Sequence, residues 1–263
     1  IGKNKQYSFS SIIAAIVTIV LNLIFLVGFH KNGKYVLIAS LISNIICTIY
    51  LLIVNKILKN VKIKYIDKKL IKDLLKYSIP MIPNELSWWI VHVSDRTIIS
   101  YALGVAANGI YSVSCKFSNI LSSIFNIFNL SWQESAALHI NDTDKDEFFS
   151  NVINKVFNLF ICFCIGILAC LPFVFELLIK DSYREAYKYV PILLLANIFS
   201  VLIGLIGSIY VAKKMTKEVA KTTMIAAIIN LTIDIALIKV IGIYAAAIST
   251  LVSYMLLAIY RYI

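Results

Sequence analysis

Glu85, Trp88, His92, Asp95 or Arg96, and Ser100 recur at steps of three and four in an otherwise apolar stretch. If that stretch is a helix, they form one polar stripe. A second apolar stretch carries Ser112, Lys116, Asn119, Ser123 and Asn126 at the same kind of spacing. An ionisable side chain at the centre of a membrane helix costs roughly 2.5–3.5 kcal/mol. Two neighbouring segments holding Glu85, His92, Asp95, Arg96 and Lys116 are therefore expected to handle something polar or charged inside a membrane. Folding them about the link Gly104–Asn108 puts Arg96 and Lys116 at a similar depth, roughly 15 Å from the turn at a rise of about 1.5 Å per residue. Two cations at one depth repel unless an anion lies between them. Asp95 neutralises one and leaves the other for a ligand such as a phosphate, which Arg grips bidentately and Lys meets as a point charge. The alternative is an internal ion pair of Asp95 with Arg96 or Lys116. Both hold if ligand binding exchanges the partners.

The remaining polar residues point less sharply. A lone helical His92 is more often a hydrogen-bonded packing residue than a proton relay. Glu85, one turn from Trp88 and Trp89, reads equally as a proton or cation site and as an interfacial residue. Asn230 and Asp234 form an i, i+4 pair expected to face a bundle interior. Gln133, Glu134 and His139 suit a solvated gate or loop. The acidic run Asp142–Glu147 reads as a helix start, with Asp144 and Glu147 in capping-box spacing. No nucleophile elbow, phosphate loop or paired metal motif is present, and no polar loop is large enough to carry such chemistry. The sequence therefore predicts no catalytic residue, no metal and no cofactor. Cys47, Cys115, Cys162, Cys164 and Cys170 all lie in apolar runs, so small buried packing residues are expected rather than a zinc or redox site.

The elements that must position these residues are membrane helices. The chain is 60% hydrophobic with a mean hydropathy of +0.85, well above the roughly 45–50% apolar content of soluble domains. Apolar runs of about 20 residues recur along it, each enough to cross a hydrocarbon core of about 30 Å. Barrel strands would instead alternate over about 10 residues. The fold class is thus an all-α polytopic helical bundle with eight transmembrane spans, near 8–29, 35–55, 74–103, 107–133, 152–178, 187–212, 218–238 and 242–260. Pro80 and Pro83 are expected to kink the third span. The domain reading is 1–55, two helices closing a first lobe; 56–73, a basic cytoplasmic linker; and 74–263, a six-helix second lobe. The linker reads as an interfacial amphipathic helix or, equally, as a solvated basic connection.

Most of the 25 Lys and Arg residues fall on one side of these spans. That side holds Lys3, Lys5, the lysine-rich run Lys56–Lys76, Lys145, Lys155, Lys213, Lys214, Lys217, Lys221 and Arg261. The bias places both chain ends in the cytoplasm. The net charge of +11 then reads as topology and contact with anionic lipids. Nucleic acid is a poor partner, since no basic soluble module exists to present a binding surface.

A short internal repeat links the first and last helix pairs. Asn22 precedes Gly33-Lys34-Tyr35 and Ser40 much as Asn230 precedes Gly242-Ile243-Tyr244 and Ser249. Six spans separate the copies, as two parallel six-helix halves would require. The chain begins at Ile1 and ends in Tyr260-Arg261-Tyr262-Ile263, so a fragment lacking about four upstream helices is expected.

Three stretches carry a family resemblance: Tyr77-Ser78-Ile79-Pro80-Met81-Ile82-Pro83 through Ser94-Asp95-Arg96, then Gly104 and Gly109-Ile110-Tyr111-Ser112 through Lys116, and the tail from Asn230 through Gly242 to Tyr254. They resemble bacterial polysaccharide-transport flippases (Wzx-type, for O-antigen, capsule or exopolysaccharide) of the MATE/MOP flippase superfamily. The chain departs from that pattern at Lys239 and at Ala245-Ala246-Ala247. The resemblance implies a two-lobed bundle in the bacterial cytoplasmic (inner) membrane, flipping undecaprenyl-pyrophosphate-linked oligosaccharide repeat units by alternating access through a central cationic cavity. It makes Arg96 and Lys116 contacts for pyrophosphate or acidic sugars, and Asn119, Ser123 and Asn126 hydrogen-bond partners of sugar hydroxyls. Glu85, His92, Asp95 and Asp234 would tune charge or couple transport. Implied partners are the lipid-linked oligosaccharide, anionic membrane lipids, and the polysaccharide polymerase and chain-length machinery. The alternatives are a cation- or proton-coupled MATE-type small-molecule exporter, which would rely on Glu85, Asp95 and Asp234, and a non-transporting scaffold whose charges are all paired.

Overall fold

Lipid offers the backbone no hydrogen-bond partner, so apolar runs of this length satisfy their N–H and C=O groups internally. The computed structural model describes residues 4–29, 33–55 and 67–262, and every regular element among them is helical. The helices are α1 (Asn4–Asn22, continuing as a π-helical stretch Leu23–Gly28), α2 (Lys34–Val54), α3 (Lys68–Ser78), α4 (Met81–Leu103) and α5 (Val105–Leu138). They are followed by α6 (Lys145–Leu178), a 3-10 turn (Asp181–Lys188), α7 (Val190–Ala212), α8 (Thr216–Ile241) and α9 (Tyr244–Tyr262). Six of them, α1 with its extension, α2, α6, α7, α8 and α9, are long and apolar enough to cross a membrane. The polar-striped α4 and α5 are not among the six. At 23 and 34 residues, both exceed the roughly 20 residues that a crossing needs.

The chain divides into two compact units, Ile1–Ile71 and Lys72–Ile263. In the first, α1 packs on α2 through small side chains. Ser43 donates to the Ala14 carbonyl at 2.6 Å and the Cys47 thiol approaches the Ser10 carbonyl at 3.6 Å. Most other side chains of the pair are apolar and outward-facing, as lipid contact requires.

In the second unit, α4 packs along α8 and α5 along α7, while α9 lies against both α7 and α8. Ala245, Ala246 and Ala247 are wholly buried, so α9 approaches its neighbours closely through small residues. The apolar core sits between α5, α6 and α7 around Leu121, Phe125, Trp132, Phe160, Leu171 and Leu194. Trp132 also donates its indole N–H to the Leu205 carbonyl at 2.9 Å. Membrane hydrogen bonds of this kind contribute about 0.6 kcal/mol and at most about 1.7. Trp132→Phe should therefore lower stability by about 1 kcal/mol, read as a small fall in Tm in detergent; no shift would show the bond to be energetically silent.

Arg261 is unexpectedly buried at the end of α9. Its guanidinium donates to Thr222 Oγ1, to Thr223 Oγ1 (2.8 Å) and to the Val219 carbonyl (3.1 Å). These bonds tie the last turn of α9 to the start of α8, and the side chain is not free to meet lipid headgroups.

Several expectations change. The third span is not one kinked helix: α3 ends at Ser78, Ile79 and Pro80 form a turn, and α4 starts at Met81. The proline ring cannot sit inside a helix without losing a bond and clashing with the preceding turn. The amphipathic α3 carries Leu70, Ile71, Leu74 and Leu75, all exposed, between lysines; residues 56–66 of the basic stretch lie outside the described residues. Asp144 does sit at the N-cap of α6, but its side chain makes no capping bond. The glycines of the sequence repeat also diverge. Gly242 turns at φ 62°, ψ −139°, whereas Gly33 is right-handed helical at φ −52°, ψ −18°. Only Cys164 of the five cysteines is buried, with Cys162 and Cys170 exposed and all five free.

Candidate functional site

Because α4 leans on α8 and α5 on α7, the hairpin at Gly104 is open rather than closed on itself. Gly104 permits the opening with φ 91° and ψ 169°, a conformation with no Cβ tolerance. Between the helices lies a cavity of about 1180 Å³, larger than the roughly 300–1,000 Å³ of small-molecule pockets. Glu85, Trp88, His92, Asp95, Arg96 and Ser100 line it from α4. Asn108, Tyr111, Cys115, Ser118, Asn119, Ser122, Ser123, Asn126 and Asn129 line it from α5. Its floor comes from Asn197, Ser200 and Gly204 of α7 and from Thr250 and Tyr254 of α9.

The α5 wall is held in place from behind. Asn197 donates to Ser118 and accepts from Ser122, Ser208 donates to Asn129 Oδ1 at 3.1 Å, and Ser114 donates to the Ala186 carbonyl at 3.0 Å. Asn119 and Asn126 take no side-chain bond from the described protein and present both amide donor and acceptor to the cavity. On the opposite wall His92 stacks on Trp88 (centroids 6.3 Å apart), whose ring meets Tyr254 edge-on at 5.4 Å.

Arg96 is the single Lys or Arg lining the cavity among the described residues. Ion pairs among them occur only at Arg184–Asp181 and Lys188–Glu185, so Arg96 faces the cavity without a carboxylate partner; it does interact with the Cys115 sulfur across the gap. Its neighbour Asp95 points the other way, 4% exposed. Tyr111 donates to Asp95 Oδ2 at 2.7 Å and Thr250 does so at 3.0 Å. Asn230 turns its Nδ2 to Ser249 Oγ at 3.1 Å. One helical turn on, Asp234 is wholly buried and lies close enough to Asp95 for their charges to repel. Asp95 Oδ1, Asn230 Oδ1 and both oxygens of Asp234 are buried with no hydrogen-bond donor. Helices α4, α8 and α9 thus converge on a cluster of acceptor atoms, a donor set suited to a proton or a small hard cation.

These placements revise the two-cation picture. Glu85, His92, Asp95 and Arg96 come together along one wall, and Asn119, Ser123 and Asn126 along the other. Lys116 does not join them: it is exposed and outside the lining. The α5 stripe is centred on Cys115, Ser118 and Ser122, and one residue on from Cys115 is a rotation of about 100°. The internal pair of Asp95 with Arg96 or Lys116 is absent too, because Asp95 satisfies one oxygen through hydroxyl donors instead. Asp234 belongs to the buried cluster behind the cavity, not to its surface. Sequence reasoning passed over Thr250, Tyr111, Asn197 and Tyr254. Asn197 is a single polar group in an apolar run, Tyr111 adjoins the stripe read through Ser112, and Thr250 and Tyr254 each follow a serine in the tail; behind the cavity only the i, i+4 pair Asn230/Asp234 carried a local signal.

Residues 2–132 match the family of polysaccharide biosynthesis proteins. Among solved structures, the chain superposes on an outward-facing multidrug resistance MATE family transporter of the MOP superfamily with a TM-score of 0.80 at 11% identity. That match covers 97% of this chain and 60% of the other. The chain has the fold of MOP superfamily transporters. A MATE protein in complex with MaL6 aligns equally well, with a TM-score of 0.81, 12% identity and coverage of 97% and 60%. So does a MOP superfamily transporter from Pyrococcus furiosus, described as having a binding pocket of reverse polarity that suggests a different function (TM-score 0.80, 12% identity, coverage 97% and 60%). The chain spans about three fifths of the length of those transporters. No curated protein sequence matches it.

Proposed function

We propose that the protein containing this chain is a MOP superfamily flippase that moves undecaprenyl-pyrophosphate-linked oligosaccharide repeat units across the bacterial cytoplasmic membrane, both described ends facing the cytoplasm, for cell-surface polysaccharide synthesis. One observation carries the reading: a large polar cavity inside an apolar bundle, lined by one guanidinium with no ion-pair partner among the described residues and by a wall of amides and hydroxyls. Arg96 meets the pyrophosphate, where a charge-assisted bidentate contact is strongest. Asn119, Ser123 and Asn126 meet sugar hydroxyls. The buried Asp95–Asn230–Asp234–Thr250 cluster takes up a proton or cation and couples it to movement. The match to polysaccharide biosynthesis proteins supports this substrate class over a small drug.

In a strain lacking the native transporter, Arg96→Ala should reduce polymer export at least tenfold at normal membrane abundance, and Arg96→Lys should restore part of it. Full export by Arg96→Ala would remove pyrophosphate recognition from this site. The second reading, a cation-coupled MATE-type small-molecule exporter, is favoured by the carboxylate cluster alone, which suits either cargo. It expects drug resistance conferred on a sensitised strain and no polymer export.

A further inference from the structure

The cavity has a charge gradient along its length. Arg96 stands toward the Gly104 turn, and Glu85 lies eleven residues earlier on the same helix face, about 16 Å away at roughly 1.5 Å per residue. Both line the cavity and both are exposed to it. Asn84 donates to Glu85 Oε1 at 3.1 Å, which orients the carboxylate, and no cation pairs with it among the described residues. Between these two poles the opposite wall presents only neutral groups, chiefly Asn119 and Asn126. An amide offers one donor face and one acceptor face, as a sugar hydroxyl does. A carboxylate on a sugar accepts only, and here it would meet Glu85 with no second Lys or Arg among the described lining residues to offset the repulsion.

Resting on the flippase reading above, we infer that Glu85 is a specificity-determining charge filter: the glycan lying beyond the pyrophosphate is uncharged or amine-bearing, and acidic repeat units are rejected. Two unit charges about 8 Å apart at an effective dielectric of about 20 repel enough to change affinity more than tenfold. Lys116 is exposed and outside the cavity lining, so it does not offset Glu85.

The test uses the full-length transporter in nanodiscs and three radiolabelled probes: prenyl pyrophosphate alone, the same carrier with a neutral trisaccharide, and the same carrier with a uronate-containing trisaccharide. In the wild type the neutral glycolipid should bind about tenfold more tightly than the uronate one. Glu85→Gln should narrow that ratio to about threefold or less, and Glu85→Asp should keep most of it. The readout is a ratio within one preparation, so a general loss of folding does not mimic the result. Equal binding of both glycans by the wild type, or an unchanged ratio in Glu85→Gln, overturns the filter and leaves the flippase reading standing. Failure of all three probes to bind overturns both.

Discussion

Asp234→Asn and Asp95→Asn should each lower coupled transport about a hundredfold or more, with the protein still folded and present in the membrane. The physical basis is the acceptor-only character of the buried cluster. Asp234 is wholly buried with neither carboxylate oxygen bonded, and Asp95 Oδ1 and Asn230 Oδ1 also lack donors. Unsatisfied polar atoms in such surroundings are costly, and ionised ones far more so. A bound proton or small cation supplies what the protein withholds. A ligand present at about 100 times its Kd stabilises the folded state by about 2.7 kcal/mol. The wild type should therefore gain several degrees in Tm with sodium, with acid, or with both, and not with choline. Asp234→Asn should lose most of that gain, because the amide supplies its own donor. A wild-type Tm indifferent to sodium, and to pH between about 5 and 8, would sink the coupling role of this cluster.

Gly204→Val is expected to be the most disruptive single change in the second unit. A Cβ built on Gly204 falls 2.7 Å from Phe125 Cζ and nearer still to Cε1. The Phe125 ring is 6% exposed and packs edge-on against Phe160 at 5.6 Å, so it has no room on its core side. The ring's remaining way out is into the cavity that it lines. Overpacking of this kind costs about 1–3 kcal/mol. Gly204→Val should lower Tm and also shrink the cavity; on the flippase reading proposed above it should weaken glycolipid binding more than the stability loss alone explains. Phe125→Leu in the same chain should recover part of both. A Gly204→Val protein with wild-type Tm and binding would mean that α5 and α7 separate more easily than their hydrogen-bonded seam suggests.

The match to polysaccharide biosynthesis proteins and the MATE-like fold agree with the resemblance read from Pro80 through Lys116, and apart from the third span the described helices fall where the apolar runs predicted them. Periodicity also carried the α4 wall. Glu85, Trp88, His92, Asp95, Arg96 and Ser100 are spaced by the helix itself, and all six line one cavity. The α5 wall was read with its centre displaced. Its polar residues are dense enough that neighbouring stripes overlap, and Lys116 fell on the wrong side of the true one. The break at Ile79–Pro80 was readable as a disturbance but not as a helix end, since one proline in a run is compatible with either.

The sequence by itself determined what depends on local rules: which segments are long and apolar enough to cross a membrane, which face of α4 is polar, and which residue types are present to bind an anion or a cation. Only the tertiary structure decided how those residues are paired. Asp95 finds Thr250 at 155 residues' separation and feels Asp234 on a third helix, which turns a surface carboxylate into part of a buried cluster. Arg96, its immediate neighbour, faces the cavity without an ion-pair partner among the described residues. Two adjacent residues on one helix point about 100° apart, and which neighbour each one meets is set by packing between helices, not by spacing along the chain.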